Sequence, residues 1–326
     1  MARIALVTTG GTIASRAAIG GDVTAEVGGH ALAQSLGARL PAGLELTVDD
    51  YLRVNSSSLD LDMAFAMARR IADHAARADC DGVVVTHGTD SMEESAFLAD
   101  LVVPGDTPVV FTGAQRSAED ADGDGPRNLA SACRLAAAPQ ARGLGTMILF
   151  EDDFHVARDV TKTHASRTDT FRSGEHGKLG EVDGDVVTVH RRPTLRAHIP
   201  TERIETRVGL FKSALGLNGD YIRFCVERGA RAVVVEGFGR GNAHPDVTAA
   251  IEDAVTAGTQ VIMCTRCPEG RVKPVYGNGG GRDIERAGAI FAGDLSGVKA
   301  RILAAVCLGA PDGAARLRER FAQMAG

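Results

Sequence analysis

Two short apolar runs in this chain end the same way, in a threonine–glycine turn. Ile4-Ala5-Leu6-Val7 leads into Thr8-Thr9-Gly10-Gly11-Thr12, and Val83-Val84-Val85 leads into Thr86-His87-Gly88-Thr89-Asp90. Runs of this length and character read as buried strands. Similar runs recur at residues 109–112 and 146–150, with helical patterns at residues 62–77, 91–101 and 126–138 between them. The last has Pro126 just inside its start, where the missing N–H costs nothing. Strands alternating with helices predict an α/β fold with a largely parallel sheet. The turns that follow such strands gather at one sheet edge and line a cleft. Thr12, Thr89 and Asp90 are therefore expected together.

A polar stretch at residues 191–206 carries Pro193, Pro200 and several charges, and reads as a linker. Beyond it, strand-like runs resume at residues 208–211, 232–236 and 260–264. A length of 326 residues suggests about two domains. We therefore expect a larger N-terminal domain over residues 1–190, bearing most of the chemistry, and a second over residues 207–326.

Charge and composition narrow the partners. The net charge is −6 with no basic block, which argues against nucleic acid. Aromatic residues make up 4% and Trp is absent, so base-stacking platforms are not expected. No run approaches the roughly 20 apolar residues that span a bilayer. Met1-Ala2-Arg3-Ile4 enters the first strand without a signal-peptide core, so a cytoplasmic address and no membrane partner are expected. The six cysteines then read as reduced core residues rather than disulfides. Cys264-Thr265-Arg266-Cys267 has a C-x-x-C spacing, but no second pair or His cluster completes a metal site.

The turns carry the chemistry. Neither a P-loop nor a Gly-x-Gly-x-x-Gly fingerprint follows the first strand, which weakens a phosphate reading. Adjacent glycines allow a sharp turn that presents Thr12 to a cleft, and a hydroxyl held so is a nucleophile wherever a base and an oxyanion site adjoin it. Two threonines beside a carboxylate suit amide chemistry. Blander readings stay open: threonines cap and turn chains, Asp90 can cap the helix that follows, and a lone lysine is usually solvated. Glu93 and Glu94 fall in a helix's first turn, where negative charge is favoured anyway. His87 has no carboxylate placed in sequence to orient it and reads as structural.

Six segments in order resemble the signatures of the bacterial-type L-asparaginases, within the asparaginase/glutaminase family. They are Thr8-Thr9-Gly10-Gly11-Thr12-Ile13-Ala14-Ser15, His87-Gly88-Thr89-Asp90-Ser91-Met92-Glu93-Glu94, Asp124-Gly125-Pro126-Arg127-Asn128-Leu129, Arg158-Asp159-Val160-Thr161-Lys162-Thr163, Gly239-Arg240-Gly241-Asn242 and Lys299-Ala300-Arg301-Ile302-Leu303. The resemblance implies two α/β domains, the larger one N-terminal with a mainly parallel sheet, the smaller one C-terminal and flavodoxin-like. It implies hydrolysis of L-asparagine to L-aspartate and ammonia through a threonine acyl-enzyme, without metal or organic cofactor. Thr12 would attack, while Thr89, Asp90 and Lys162 activate the nucleophile or the water. Backbone N–H groups at the Thr89 turn would meet the oxyanion. Gly11, Ser58, Leu59, Gly88, Thr89, Asp90 and Ala114 would line the substrate site, with Asn242 reaching it from another subunit. The family's usual assembly is a homotetramer, a dimer of intimate dimers.

Two departures matter. The family's mobile loop after the nucleophile usually carries a Tyr, yet residues 16–29 contain none. Of the three tyrosines, Tyr51 lies in a strand-like pattern, Tyr221 in a helical one, and Tyr276 in a glycine-rich loop of the second domain. Tyr276, delivered by a neighbouring subunit, is the expected replacement, with Glu26 on the mobile loop as its rival. No Glu matching the family's intersubunit carboxylate is found near Tyr276. Secondly, Leu59 follows Ser58 where the family often has a polar residue. Losing a polar contact costs about 1–3 kcal/mol, so asparagine should be preferred and glutamine used weakly. Two other readings compete. One is an amidotransferase component on the same fold, which would usually carry an extra N-terminal region. The other is a non-catalytic asparagine or aspartate sensor.

Overall fold

The structure is a computed structural model that describes residues 1–17, 23–25, 28–117 and 120–325. The chain forms two compact units, Met1–Thr194 and Leu195–Gly326.

The first unit runs β1 (Ala2–Thr8), β2 (Ser15–Ala17), β3 (Val23–Ala25), α1 (Gly29–Leu36), β4 (Leu44–Asp50), α2 (Leu61–Ala75), β5 (Gly82–Thr86), α3 (Met92–Val102), β6 (Val109–Thr112), α4 (Gly125–Ala137), β7 (Thr146–Phe150), β8 (Asp153–Val156), β9 (Thr161–Lys162), β10 (Phe171–Arg172), β11 (Gly180–Asp183) and β12 (Val186–Val189). Its eight-stranded sheet has the order β12-β11-β8-β7-β6-β5-β1-β4. From β7 to β4 all pairs are parallel, whereas β8, β11 and β12 extend the sheet by antiparallel hairpins.

The parallel strands are apolar on both faces because helices cover both. Ile4, Leu6, Val84, Val110, Met147 and Leu149 point to one side and pack with α1 and α4. Alternate residues face the other side, where α2 packs on β5 and α3 on β7. The α2 helix shows how the sequence sets this up. Asp60 accepts from the Met63 N–H (2.8 Å) as its N-cap, and Leu61, Ala64, Phe65, Ala68, Ile71 and Ala75 bury one stripe. The α3 helix buries every residue from Ser95 to Val102 and shows no such stripe.

From β1 the chain moves to β4 on one side, then returns so that β5 lands on the other. The strand order therefore reverses at β1 and β5, which opens a crevice at their C-terminal ends.

The second unit holds β13 (Val208–Lys212), α5 (Asp220–Glu227), β14 (Ala232–Gly237), α6 (Pro245–Thr256), β15 (Gln260–Thr265), α7 (Gly281–Arg286), β16 (Ile290–Phe291), α8 (Gly297–Gly309) and α9 (Leu317–Met324). Its four strands are parallel and adjacent in chain order, without the reversal that gives a flavodoxin-like sheet its switch point. Val233, Val235, Val261 and Met263 pack with α5, α6 and α7 on one face. The α8 helix packs on β13, β14 and β15. Among the described residues no helix is long and apolar enough to cross a membrane.

The cysteine reading needs one correction. All six are free, and Cys133, Cys225, Cys264 and Cys307 are buried, but Cys80 is half-buried and Cys267 is exposed just past β15. Tyr51 is likewise not a strand residue; it follows the end of β4.

Candidate active site

Glycines build the floor of the crevice. Gly10 and Gly11 have φ of 103° and 84°, in the left-handed region that only glycine enters cheaply. A Cβ on Gly11 would lie 2.5 Å from the Gly88 Cα, and one on Gly88 would lie 2.6 Å from Ser56 Oγ. The turns after β1 and β5 thus stack directly on each other, and the Ser56–Ser58 turn closes over the second. Register extends the alignment across the sheet: Thr8 pairs with Thr86, and Thr86 with Thr112. Thr12, Thr89 and Ala114 follow those strand ends on the same edge. Thr12 opens a short 3-10 turn, Thr12–Ala14, whose Ile13 packs against the start of α4 at Gly125.

Lys162 arrives from a different direction. It belongs to β9, which pairs with β10 in a separate two-stranded ladder, Lys162 opposite Phe171. Its ammonium donates to Thr89 Oγ1 at 2.9 Å and to Asp90 Oδ1 at 2.8 Å. The Lys162 side chain is 14% exposed and that of Asp90 66%, so the lysine is the inner member of the pair and the carboxylate stands at the mouth. Thr89 Oγ1 donates in turn to Gln115 Oε1 at 3.5 Å, a long contact. Upstream of Lys162, the Arg158–Asp159 ion pair (2.9 Å) is buried and Arg191 joins it at 3.2 Å, which anchors the segment leading into β9.

The structure therefore brings Thr89, Asp90 and Lys162 into direct contact and sets Thr12, Gly11, Gly88 and the buried Ala114 along the same edge. Ser58 is exposed and Leu59 half-buried at the end of the Ser56–Ser58 turn. Two residues that sequence reasoning did not single out, Ser56 and Gln115, belong here, as does Glu93, which it read only as a helix-end charge. Ser56 is buried; its Oγ accepts from the Asp90 N–H (3.2 Å) and its carbonyl from the Ser91 hydroxyl (2.8 Å). Gln115 is mounted rigidly by its N–H on the Asp124 carboxylate. Glu93 reaches the backbone of Lys162. Nothing in a run of three serines tells which one faces inward.

His87 lies behind the turn. It is fully buried, with Nδ1 2.7 Å from the Gly88 carbonyl, and burial pushes its imidazole down to about 4. A ring so held stays neutral and packs near Phe111.

In the second unit, Tyr276 is 58% exposed and its carbonyl accepts from the Arg282 N–H at 2.8 Å. Asn242 Oδ1 accepts from the Gly281 N–H (3.3 Å), bracing the start of α7 beside the Tyr276 loop. Glu26 lies outside the described residues.

A hydroxyl presented at a glycine turn next to a hydroxyl–ammonium–carboxylate chain offers a nucleophile, a proton path and an anchor for a cationic ligand group. Comparisons with known proteins identify what the chain is similar to. The family model described as asparaginase, N-terminal, matches residues 3–195, and that of the glutaminase/asparaginase C-terminal domain matches residues 207–321. The chain is 34% identical over 308 residues to an L-asparaginase of Bacillus licheniformis, covering 94% of this chain and 95% of that protein. It is also 34% identical over 314 residues to a glutamyl-tRNA(Gln) amidotransferase component of Halobacterium salinarum, covering 89% of this chain and 71% of that one. A solved structure of a probable cytoplasmic L-asparaginase from Campylobacter jejuni superposes with a TM-score of 0.87 at 28% identity, covering 99% of each chain.

Proposed function

The chain belongs to the asparaginase family, and on that footing we propose that it hydrolyses L-asparagine to L-aspartate and ammonia. The observation that carries the reading is the Lys162 ammonium held between Thr89 and Asp90 at the sheet edge that also presents Thr12. Thr12 Oγ attacks the carboxamide carbon, and its proton is relayed through the Thr89 hydroxyl to the amide nitrogen while the Lys162 ammonium holds that hydroxyl in place. Collapse of the tetrahedral adduct breaks the C–N bond, and the nitrogen so protonated departs as ammonia. Water then attacks the threonine ester, returns a proton to Thr12 and releases aspartate. N–H groups of the Gly11 and Thr89 turns stabilise the oxyanion in both steps. Asp90, largely exposed, receives the substrate's α-ammonium, and the Ser58 turn its α-carboxylate. Leu59 leaves one polar contact unmade, which favours asparagine over glutamine.

Ammonia release from L-asparagine and L-glutamine, measured with Thr12→Ala, Thr89→Val and Lys162→Met alongside, tests this. We expect turnover of asparagine, with kcat lowered about 10³-fold or more in each variant because the groups act as a unit. A wild-type protein that turns over neither amide while still binding asparagine would sink the proposal in favour of a sensor.

A further inference from the structure

Glu93 sits in the first turn of α3, three residues after Asp90, and that position alone asks nothing of it but a favourable helix-end charge. The structure gives it other work. Its Oε1 accepts from the Thr161 hydroxyl at 3.0 Å and from the Lys162 backbone N–H at 3.3 Å. Its Oε2 is buried and, among the described residues, has no hydrogen-bond partner. A buried carboxylate oxygen left unpaired is costly, and a group kept at such cost usually serves a site. The strand it grips is short: β9 is two residues long and, among the described residues, pairs with the two residues of β10, the contact continuing from the Thr163 N–H to the Thr170 carbonyl at 2.8 Å. Ladders this short do not hold a register unaided.

We infer that Glu93 is the positioning residue for Lys162. One helical turn thereby holds the lysine at both ends. Thr89 and Asp90, just ahead of α3, take its ammonium, and Glu93 takes its backbone. The grip transfers the rigidity of the buried α3 to a short two-stranded ladder and fixes the Nζ against the Thr89 hydroxyl. The charged and titratable groups facing this corner are Asp90 and Glu93 from the start of α3 and Lys162 itself from β9, with the Arg158–Asp159 pair behind it. The inference rests on the amidase reading for its kinetic consequence but not for its structural one.

The test pairs both. Displacing a reacting group by about 1 Å costs on the order of 10²-fold, so Glu93→Ala should lower kcat about that much while KM for asparagine changes less than about threefold. Glu93→Gln, which keeps an acceptor oxygen, should restore most of the loss. Thr161→Val, which removes one of the two donors and spares the fold, should fall between. Hydrogen exchange at the Lys162 amide, read by NMR without any substrate, should be slow in wild type and Glu93→Gln and at least about tenfold faster in Glu93→Ala. Normal kcat in Glu93→Ala, a loss confined to KM, equal losses in Ala and Gln, or unchanged exchange would each overturn the inference. A wild-type protein without amidase activity that shows the expected exchange pattern would sink the functional reading and leave this one standing.

Discussion

At the scale of single residues, the contact between Lys162 and Thr89 joins positions 73 apart in sequence. Composition cannot reveal such a pair: a lone lysine after a valine and a threonine looks like solvated surface, and only the family motif distinguished it. The threonines were easier, because glycines at fixed offsets from a strand end leave few places for the next side chain. Gln115, Ser56 and Glu93 stayed hidden because their roles depend on which neighbours the fold supplies. Two buried histidines make the acid response predictable. Burial lowers both His87 and His155 to about 4, from an ordinary value near 6.5. Between those values the unfolded chain binds protons that the native protein does not, so stability is full above about pH 6.5 and declines toward pH 4, by about 3 kcal/mol per histidine at the limit. Urea midpoints should hold level from pH 7.5 to about 6.5 and fall from there to pH 5; a profile flat throughout would contradict the burial argument.

At the scale of elements, the strands with unbroken apolar runs were legible because both faces are buried, and their observed bounds differ from the sequence reading by at most two residues, with those at 109–112 and 146–150 identical. The β4 strand, Leu44–Asp50, was read only as a strand-like pattern around Tyr51, which lies just past its end. The strand lies at the sheet edge with alternate residues exposed and ends in two acids, Asp49 and Asp50, which bind Arg70 and His74 and Arg53 respectively. The strands β8, β11 and β12 are four residues long each and mixed in character. The glycine turn after β1 is the element on which the crevice depends. Gly11→Ala would force a side chain into φ near +84° and drive its Cβ into backbone at Gly88, 2.5 Å away. Strain of about 1–3 kcal/mol is expected, together with near-complete loss of turnover because Thr12 and Thr89 separate. A thermal melt and an ammonia assay on that variant measure the two effects; wild-type activity would show that the stacked turns do not position the threonines.

At the scale of the whole molecule, the chain divides into two units, each with its own core, the first around a mainly parallel sheet and the second around a parallel one. The linker proposed at residues 191–206 brackets the break after Thr194. The exposed Tyr276 belongs to the second unit, and the neighbouring-subunit role we give it is a statement about assembly. If Tyr276 supplies the hydroxyl that residues 16–29 lack, Tyr276→Phe should lower kcat about 10²-fold, and activity should vanish on dilution to monomers, followed by sedimentation alongside the assay. Unchanged kcat in Tyr276→Phe would retire the idea.

The strand reversal at β1 also governs how the chain reaches its native state. Both neighbours of β1 are made after it: Ile4 must await Leu46 on one side and Gly82 on the other. Ile4-Ala5-Leu6-Val7 has two open edges until β4 is made and keeps one open until β5 follows, at about a quarter of the polypeptide, and parallel pairings at such separations form slowly. The strand that leads into the Thr12 turn is thus an unpaired apolar segment during synthesis. Because the crevice closes only when β5 docks, recovery of amide hydrolysis after dilution from denaturant would time the docking of β5, a clock for folding built into the enzyme's own chemistry.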